Sequence, residues 1–254
     1  MFYFEKIYDQ RILKSDLIKN AQAFFTTRDI CICDKILEGN NPDNKYEIEN
    51  KIKDDKILIA DYLKIQPENL ISPIQTHSAN IEIAKVSQHD YPDCDALILT
   101  DKNLAIFLNF ADCTPIILHD ENQNIGAIAH AGWRGTAQKI APKTVEKMII
   151  NFNSKPENIT ALIGPAIGYC CYNVGEEVFR ELSKTVVNFD GLSEIRQGNI
   201  YVDLKNINKR QLEETGIKKI DVCPYCTVHN NDLFFSYRNE RATTKRHSAI
   251  LKLV

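Results

Sequence analysis

The chain has 254 residues, of which 44% are hydrophobic and 26% charged, and a formal net charge of -3. That balance suits a soluble globular protein with an ample core and argues against a general nucleic-acid binder. No apolar run reaches the roughly 20 residues of a membrane span, and the opening MFYFEKIYDQRILKSD lacks the apolar core of a secretory signal. A cytoplasmic location with neither membrane nor nucleic-acid partners is therefore expected.

Residues 1–30 alternate charged and apolar side chains, and 23–27 (AFFTT) is strand-like and followed by Arg28. Cys31 and Cys33 alternate with Ile30 and Ile32 and are expected to pack as strand residues. The eight cysteines fall well short of a disulfide scaffold and read as reduced thiols, most of them small buried apolar groups. The polar stretch 38–56 reads as a loop in its first half. Its second half begins a helix that runs on through 57–63, with a solvated face. His77 lies in the turn feeding an alternating strand over 81–86, and 91–95 (YPDCD) is a turn. Further strands are expected at 96–99 and 104–108.

The most informative stretch is 109–136, NFADCTPIILHDENQNIGAIAHAGWRGT. Residues 116–118 and 125–129 are short apolar runs bounded by turn residues and predict buried strands, with 120–124 as the hairpin loop between them. In an antiparallel hairpin Cys113 and His130 become neighbours at one end of a sheet, with Arg134 four residues on. Apolar residues over 136–152 have helical spacing, and Pro142 predicts a kink or a restart with the proline in a first turn. A strand at 159–163 leads to a glycine-punctuated loop at 164–175 and an amphipathic helix at 176–184. Then come a strand at 200–202, a helix at 204–215 stopped by Gly216, and strands at 220–222, 234–237 and 249–253. Strands and helices intersperse without a regular βαβ period, which makes the class α+β, and no domain linker or internal repeat interrupts the chain.

His77, Cys113 and His130 form the sharpest constellation. They lie 36 and 17 residues apart, too far for a local metal knuckle, so they can meet only through the fold. A thiolate with two imidazoles suits Zn²⁺, and three protein ligands leave the fourth position open in the catalytic pattern. Cys223-Pro224-Tyr225-Cys226 lacks the strand-to-helix setting of a redox pair and the H-x-E partner of a zinc deaminase, so a structural role is favoured. The vicinal pair Cys170-Cys171 is expected as free thiols, and Trp133 as core.

The pieces FFTTR (24–28), QTHSANI (75–81), ADCTPIIL (111–118), HAGWRGT (130–136), GPAIGYCCYNVGEEV (164–178) and FFSYR (234–238) occur in that order. They resemble the YfiH-type laccase-domain family, also known as the purine nucleoside phosphorylase LACC-domain or peptidoglycan-editing factor family. The resemblance spans nearly the whole chain. It implies a single α/β/β/α layered domain over 1–254 with mixed sheets, one Zn²⁺ held by His77, Cys113 and His130, and phosphorolysis of adenosine, inosine and guanosine. Methylthioadenosine phosphorolysis, adenosine deamination and removal of misbuilt cell-wall precursors are also attributed to the family.

Purine nucleoside and phosphate are thus the expected partners. Phosphate needs cations, and Arg28 and Arg134 are candidates because a guanidinium matches the fork of phosphate oxygens. Gly132 and Gly135 would let backbone N–H groups approach, and the helix opening near Thr136 would add a positive end. Arg134 reads equally as a structural salt bridge, and Arg28 as a strand-end surface charge. Asp112 is expected to orient a ligand imidazole from behind or to serve as a turn residue at a strand start, Gln75 to touch the base or sugar or to stand as a loop amide, and Cys171 and Tyr172 to contact substrate. Deamination needs a hydroxide, which zinc supplies by lowering the pKa of bound water to about 7. Copper is not expected, because six histidines cannot furnish a multicopper centre. Two other functions use the same residues: a cysteine hydrolase with Cys113 activated by His130, and a nucleotide-binding module without turnover.

The chain also departs from the family pattern. DICICDKILEGNN follows Arg28 in place of a Gly-Gly-Val-Ser-like loop, Ser78 follows His77 where glycine is usual, and Lys245 stands where glycine is usual. These changes leave the metal ligands in place and bear on substrate preference.

Overall fold

The computed structural model describes residues 1–33, 42–88, 90–241 and 243–254. Fifteen strands and five α-helices lie among them. One six-stranded sheet contains β1 (Phe2–Ile7), β2 (Gln10–Ser15), β3 (Ala21–Thr26), β15 (His247–Leu253), β7 (Ala105–Phe110) and β4 (Leu70–Ile71), in that spatial order. A second contains β14 (Lys219–Val222), β10 (Ile159–Ile163), β8 (Thr114–Asp120), β9 (Ile125–Ala131), β6 (Ala96–Leu99) and β5 (Ile81–Ile83). Both mix parallel and antiparallel pairs.

Strand alternation explains the layers. Leu13, Phe25, Leu108 and Leu251 of the first sheet meet Ile117, Ile128 and Leu162 of the second in one core between the sheets. Residues one step along face outward: Phe24, Phe107 and Ile250 pack on α1 (Pro42–Leu63), while Ile116, Ala127 and Ala129 pack on α3 (Ile140–Phe152). Strands buried on both faces read as continuous apolar runs, which is why 116–118 and 125–129 were legible. The expected α+β class and α/β/β/α layering are what the structure shows. A three-stranded sheet of β11 (Asn173–Val174), β13 (Asn199–Val202) and β12 (Ser193–Arg196) packs with α4 (Glu176–Ser183) into a smaller cluster that includes Trp133.

Several local expectations change. The helix expected from the second half of 38–56 already starts at Pro42, a residue suited to a first turn; positions 38–41 lie outside the described residues. Its inward face carries Ile52, Ile59 and Leu63 at helical spacing. Cys31 and Cys33 are buried but lie outside any strand, because the Cys31 N–H bonds the Asp55 carboxylate at 2.7 Å rather than a ladder. The strand expected at 234–237 is irregular: Phe234 and Phe235 are buried, while Glu240 takes the Ser236 N–H at 2.9 Å and supplies the partner a ladder would have given. The strand expected at 81–86 ends at Ile83. Pro142 falls in the first turn of α3, which restarts after α2 (Trp133–Ala137), with Lys139 at φ 59° between them. No described helix is long and apolar enough to cross a membrane.

Candidate metal centre

The β8–β9 hairpin sets the geometry. Thr114 pairs with Ala131 and Pro115 with His130, so Cys113 stands just before one strand, beside His130 near the end of the other. The third member arrives from the loop before β5, where His77 adopts φ 65°, in the left-handed region. Ligand atoms of His77, Cys113 and His130 all lie within 4.8 Å of one another. The Cys113 Sγ is 3.8 Å from His77 Nε2, and the two imidazole rings meet edge to face at 4.8 Å. A side chain at Gly132, the residue capping α2, would crowd the cluster: a Cβ there would stand 3.0 Å from the Cys113 sulfur and 3.2 Å from His77 Cδ2, so both would have to give way by a few tenths of an ångström.

A residue the sequence reading passed over organises this cluster. Asp95, fully buried, accepts from the backbone N–H groups of Thr76 (3.0 Å), His77 (3.1 Å) and Ser78 (2.7 Å) and from the Ser78 hydroxyl (2.9 Å). The same carboxylate accepts from the His130 Nδ1–H at 2.7 Å, which turns the other ring nitrogen toward Cys113. Asp95 thus pins the strained loop that carries one imidazole and orients the other. In sequence it was one acid among two in YPDCD, with nothing to single it out.

Electrostatics follow from this packing. Burial opposes the charged forms, but the two imidazoles outweigh it at Cys113 and bring the thiol down to about 6. Burial also opposes the His130 imidazolium, which the Cys113 thiolate and Asp95 nevertheless raise to about 9. Asp95 overcomes its own burial through His130 and the loop N–H groups and is held well below the usual carboxylate range. The protein without a cation therefore holds a thiolate beside an imidazolium. A cation replacing that proton would find a thiolate and two imidazole nitrogens, a donor set that fits Zn²⁺.

The other expected site residues divide. Tyr172 lies at the cluster: burial and the nearby Cys113 and Asp112 keep its hydroxyl protonated, against Arg238 and Arg134. Arg134 is exposed, stacks on the Trp133 ring at 4.4 Å and has no carboxylate partner among the described residues. Gly135 is buried beneath it, where a Cβ would sit 3.1 Å from the His130 carbonyl oxygen. Asp112, at φ 82°, does not bond an imidazole: its oxygens take the Thr227 hydroxyl at 2.6 Å and the Arg238 N–H at 2.7 Å, and Asp95 fills the orienting role expected of it. Arg28 is held by Glu240 at 2.6 Å and lies over Phe235, so its charge is already matched. The Gln75 amide bonds both ways with the Asn109 backbone (2.9 and 2.8 Å), acting as an extra rung on β7. Cys171 turns instead toward Cys170, Cys226 and His229. The helix expected to open near Thr136 starts at Trp133 and has only five residues, too few for a strong dipole.

Arg238 was missed as a site residue, although the FFSYR piece ends on it. It bonds Asn173 Oδ1 at 2.6 Å and stands 5.6 Å from the centre of the Tyr172 ring. Two surface hollows of about 610 and 570 Å³, one along α3 and α4 and one by Asp61 and Lys102, contain none of the three clustered residues.

Fold and site together define an α+β protein built on two six-stranded mixed sheets, with a histidine–cysteine–histidine cluster suited to one metal ion. Residues 22–253 match the family described as "Multi-copper polyphenol oxidoreductase laccase", and the chain belongs to it. Its relatives include "Purine nucleoside phosphorylase YlmD" of Bacillus subtilis, 28% identical over 243 residues (90% of this chain, 87% of the relative). Another, "Adenosine deaminase RL5" from an unknown prokaryotic organism, is 28% identical over 242 residues (87% and 89%). The crystal structure of YlmD from Geobacillus stearothermophilus superposes with a TM-score of 0.89 at 27% identity, covering 100% of this chain and 99% of that one.

Proposed function

We propose that the protein is a zinc-dependent purine nucleoside phosphorylase. The observation that carries this is the convergence of His77, Cys113 and His130 on a space kept open by Gly132, beside a protonated tyrosine and two arginines. The names of the relatives supply the substrate class. In phosphorolysis a phosphate oxygen bonds to C1′ of the ribose as the bond to the purine nitrogen breaks, and the departing base carries off the electron pair. Arg134 and Arg238 flank Tyr172 and hold the phosphate; the Tyr172 hydroxyl donates to the leaving base. Arg28 holds the 231–240 loop through Glu240 rather than touching phosphate. A bound zinc ion supplies Lewis acidity to the group it touches. The described residues offer no cluster with enough imidazoles for several coppers, which favours zinc over the copper of the family's description.

The relative named adenosine deaminase favours adenosine deamination as a second activity of the same cluster. The thiolate at Cys113 also suits a hydrolase nucleophile when no metal is bound. The deciding experiment incubates the zinc-loaded protein with inosine and adenosine, with and without phosphate. Free base and ribose 1-phosphate appearing only with phosphate support the reading. Full activity after zinc removal by His77→Ala would remove the metal from it, and binding without turnover would leave a nucleotide sensor.

A further inference from the structure

A second group of metal-ligating side chains lies outside the site described above. Cys170, Cys171, Cys226 and His229 bring one ligand atom each to within 4.8 Å of the others. The Cys170 sulfur lies 3.4 Å from His229 Nδ1 and the Cys171 sulfur 3.4 Å from His229 Nε2. In a tetrahedral zinc site with Zn–S of about 2.3 Å and Zn–N of about 2.0–2.1 Å, sulfur and nitrogen ligands stand about 3.5 Å apart. Whichever nitrogen binds, one sulfur already stands at that spacing from it, and the four donors lie within 4.8 Å of one another, so small side-chain shifts would close the shell. All four carry free donors, since none of these cysteines is in a disulfide.

Two features of the backbone serve the convergence. Gly168 admits it: a Cβ there would stand 3.0 Å from Cys226 Cβ, 3.1 Å from Cys170 Sγ and 3.2 Å from Cys226 Sγ. The Gly168 N–H also points at the Cys226 sulfur at 3.1 Å, the kind of donor that steadies a metal-bound thiolate. The two contributing loops are joined by the bridge between Ala166 and Cys226 and by the Thr227 N–H to the Ala166 carbonyl.

We propose that Cys170, Cys171, Cys226 and His229 bind a second zinc ion, as a closed structural site. Three thiolates and an imidazole fill a tetrahedron and leave no position for substrate. The chemical class is a borderline-soft divalent cation, because hard cations avoid thiolates. Its consequence lies next door in sequence. Tyr172 follows Cys171, and Thr227, which follows Cys226, bonds the Asp112 carboxylate beside Cys113. The ion staples two loops that form a wall of the first site, and it gives Cys226 a role that Cys223, fully buried elsewhere, does not share.

The test is zinc stoichiometry of the full chain, purified under reducing conditions, stripped and reloaded with zinc alone. Wild type is expected to bind two equivalents, and His77→Ala and His229→Ala one each. The double variant is expected to bind none. Cobalt in His77→Ala should show the charge-transfer absorption of several Co–S bonds, weakened when Cys170→Ser is added. His229 and Cys170 are exposed, so these variants should fold even where Cys226→Ser does not. One equivalent in wild type with none in His77→Ala would overturn the proposal, as would a disulfide among the three cysteines in the native protein. Failure of the first site reads differently: His77→Ala would then keep the wild-type content.

Discussion

Replacing Asp95 by asparagine tests how the centre is assembled. Oδ1 faces the His130 ring N–H and the His77 N–H, and Oδ2 faces the N–H groups of Thr76 and Ser78 and the Ser78 hydroxyl. Whichever way an asparagine amide is turned, its NH₂ meets N–H donors, so one side of the network loses its acceptor. Removing a carboxylate that orients a ligand imidazole costs about 10- to 100-fold in metal affinity or activity, or about 1.4–2.8 kcal/mol. Asp95 also holds the loop carrying His77, so the upper half of that range is expected. Removing one member of a buried charged pair further destabilises the fold by about 3–5 kcal/mol. Zinc affinity is read by competition with a chromophoric chelator, adenosine phosphorolysis by release of adenine, and stability by urea unfolding. Asp95→Asn within twofold of wild type in both affinity and rate would refute the assignment of Asp95 as the organiser.

Gly132→Ala should cut zinc affinity at least tenfold with little loss of thermal stability, because the new Cβ presses on the Cys113 sulfur and the His77 ring; unchanged affinity in the chelator assay would mean the cradle is looser than drawn. In metal-free protein, alkylation of Cys113 should rise with pH to a plateau above a midpoint of about 6, where an ordinary thiol keeps rising to about 8.5, and zinc should block it; a midpoint above 8 in mass-resolved labelling would contradict the thiolate–imidazolium pair. His247 is fully buried and burial lowers it to about 3. The unfolded chain then takes up this proton first as pH falls below about 6.5, so stability held at neutral pH is lost toward pH 3, by about 2 kcal/mol at about pH 5. His247→Phe should flatten that limb of a urea-midpoint against pH plot, and an identical slope in both proteins would show that the loss comes from other groups.

What the sequence disclosed and what it hid have physical causes. The β8–β9 hairpin was legible because both faces of its strands are buried, and His130 and Cys113 are placed by that hairpin alone. Asp95 was hidden because a buried carboxylate with five donors looks, in one dimension, like any acid in a turn. The segment 234–237 misled because burial, not a ladder, accounts for Phe234 and Phe235, while Tyr237 is exposed. Cys226 and His229 meet Cys170 and Cys171 across more than 50 residues, a proximity only the fold creates. Arg238 and Arg134 differ from Arg28 by their partners alone: Asn173 and a tryptophan face for the first two, a carboxylate for the third.

A zinc ion between His77, Cys113 and His130 would be seen by anomalous diffraction from a crystal of the zinc-loaded protein, collected on either side of the zinc edge. A peak is expected about 2.3 Å from Cys113 Sγ and about 2.0–2.1 Å from one nitrogen each of His77 and His130. A zinc-loaded crystal with no anomalous density among those three side chains would contradict the zinc assignment.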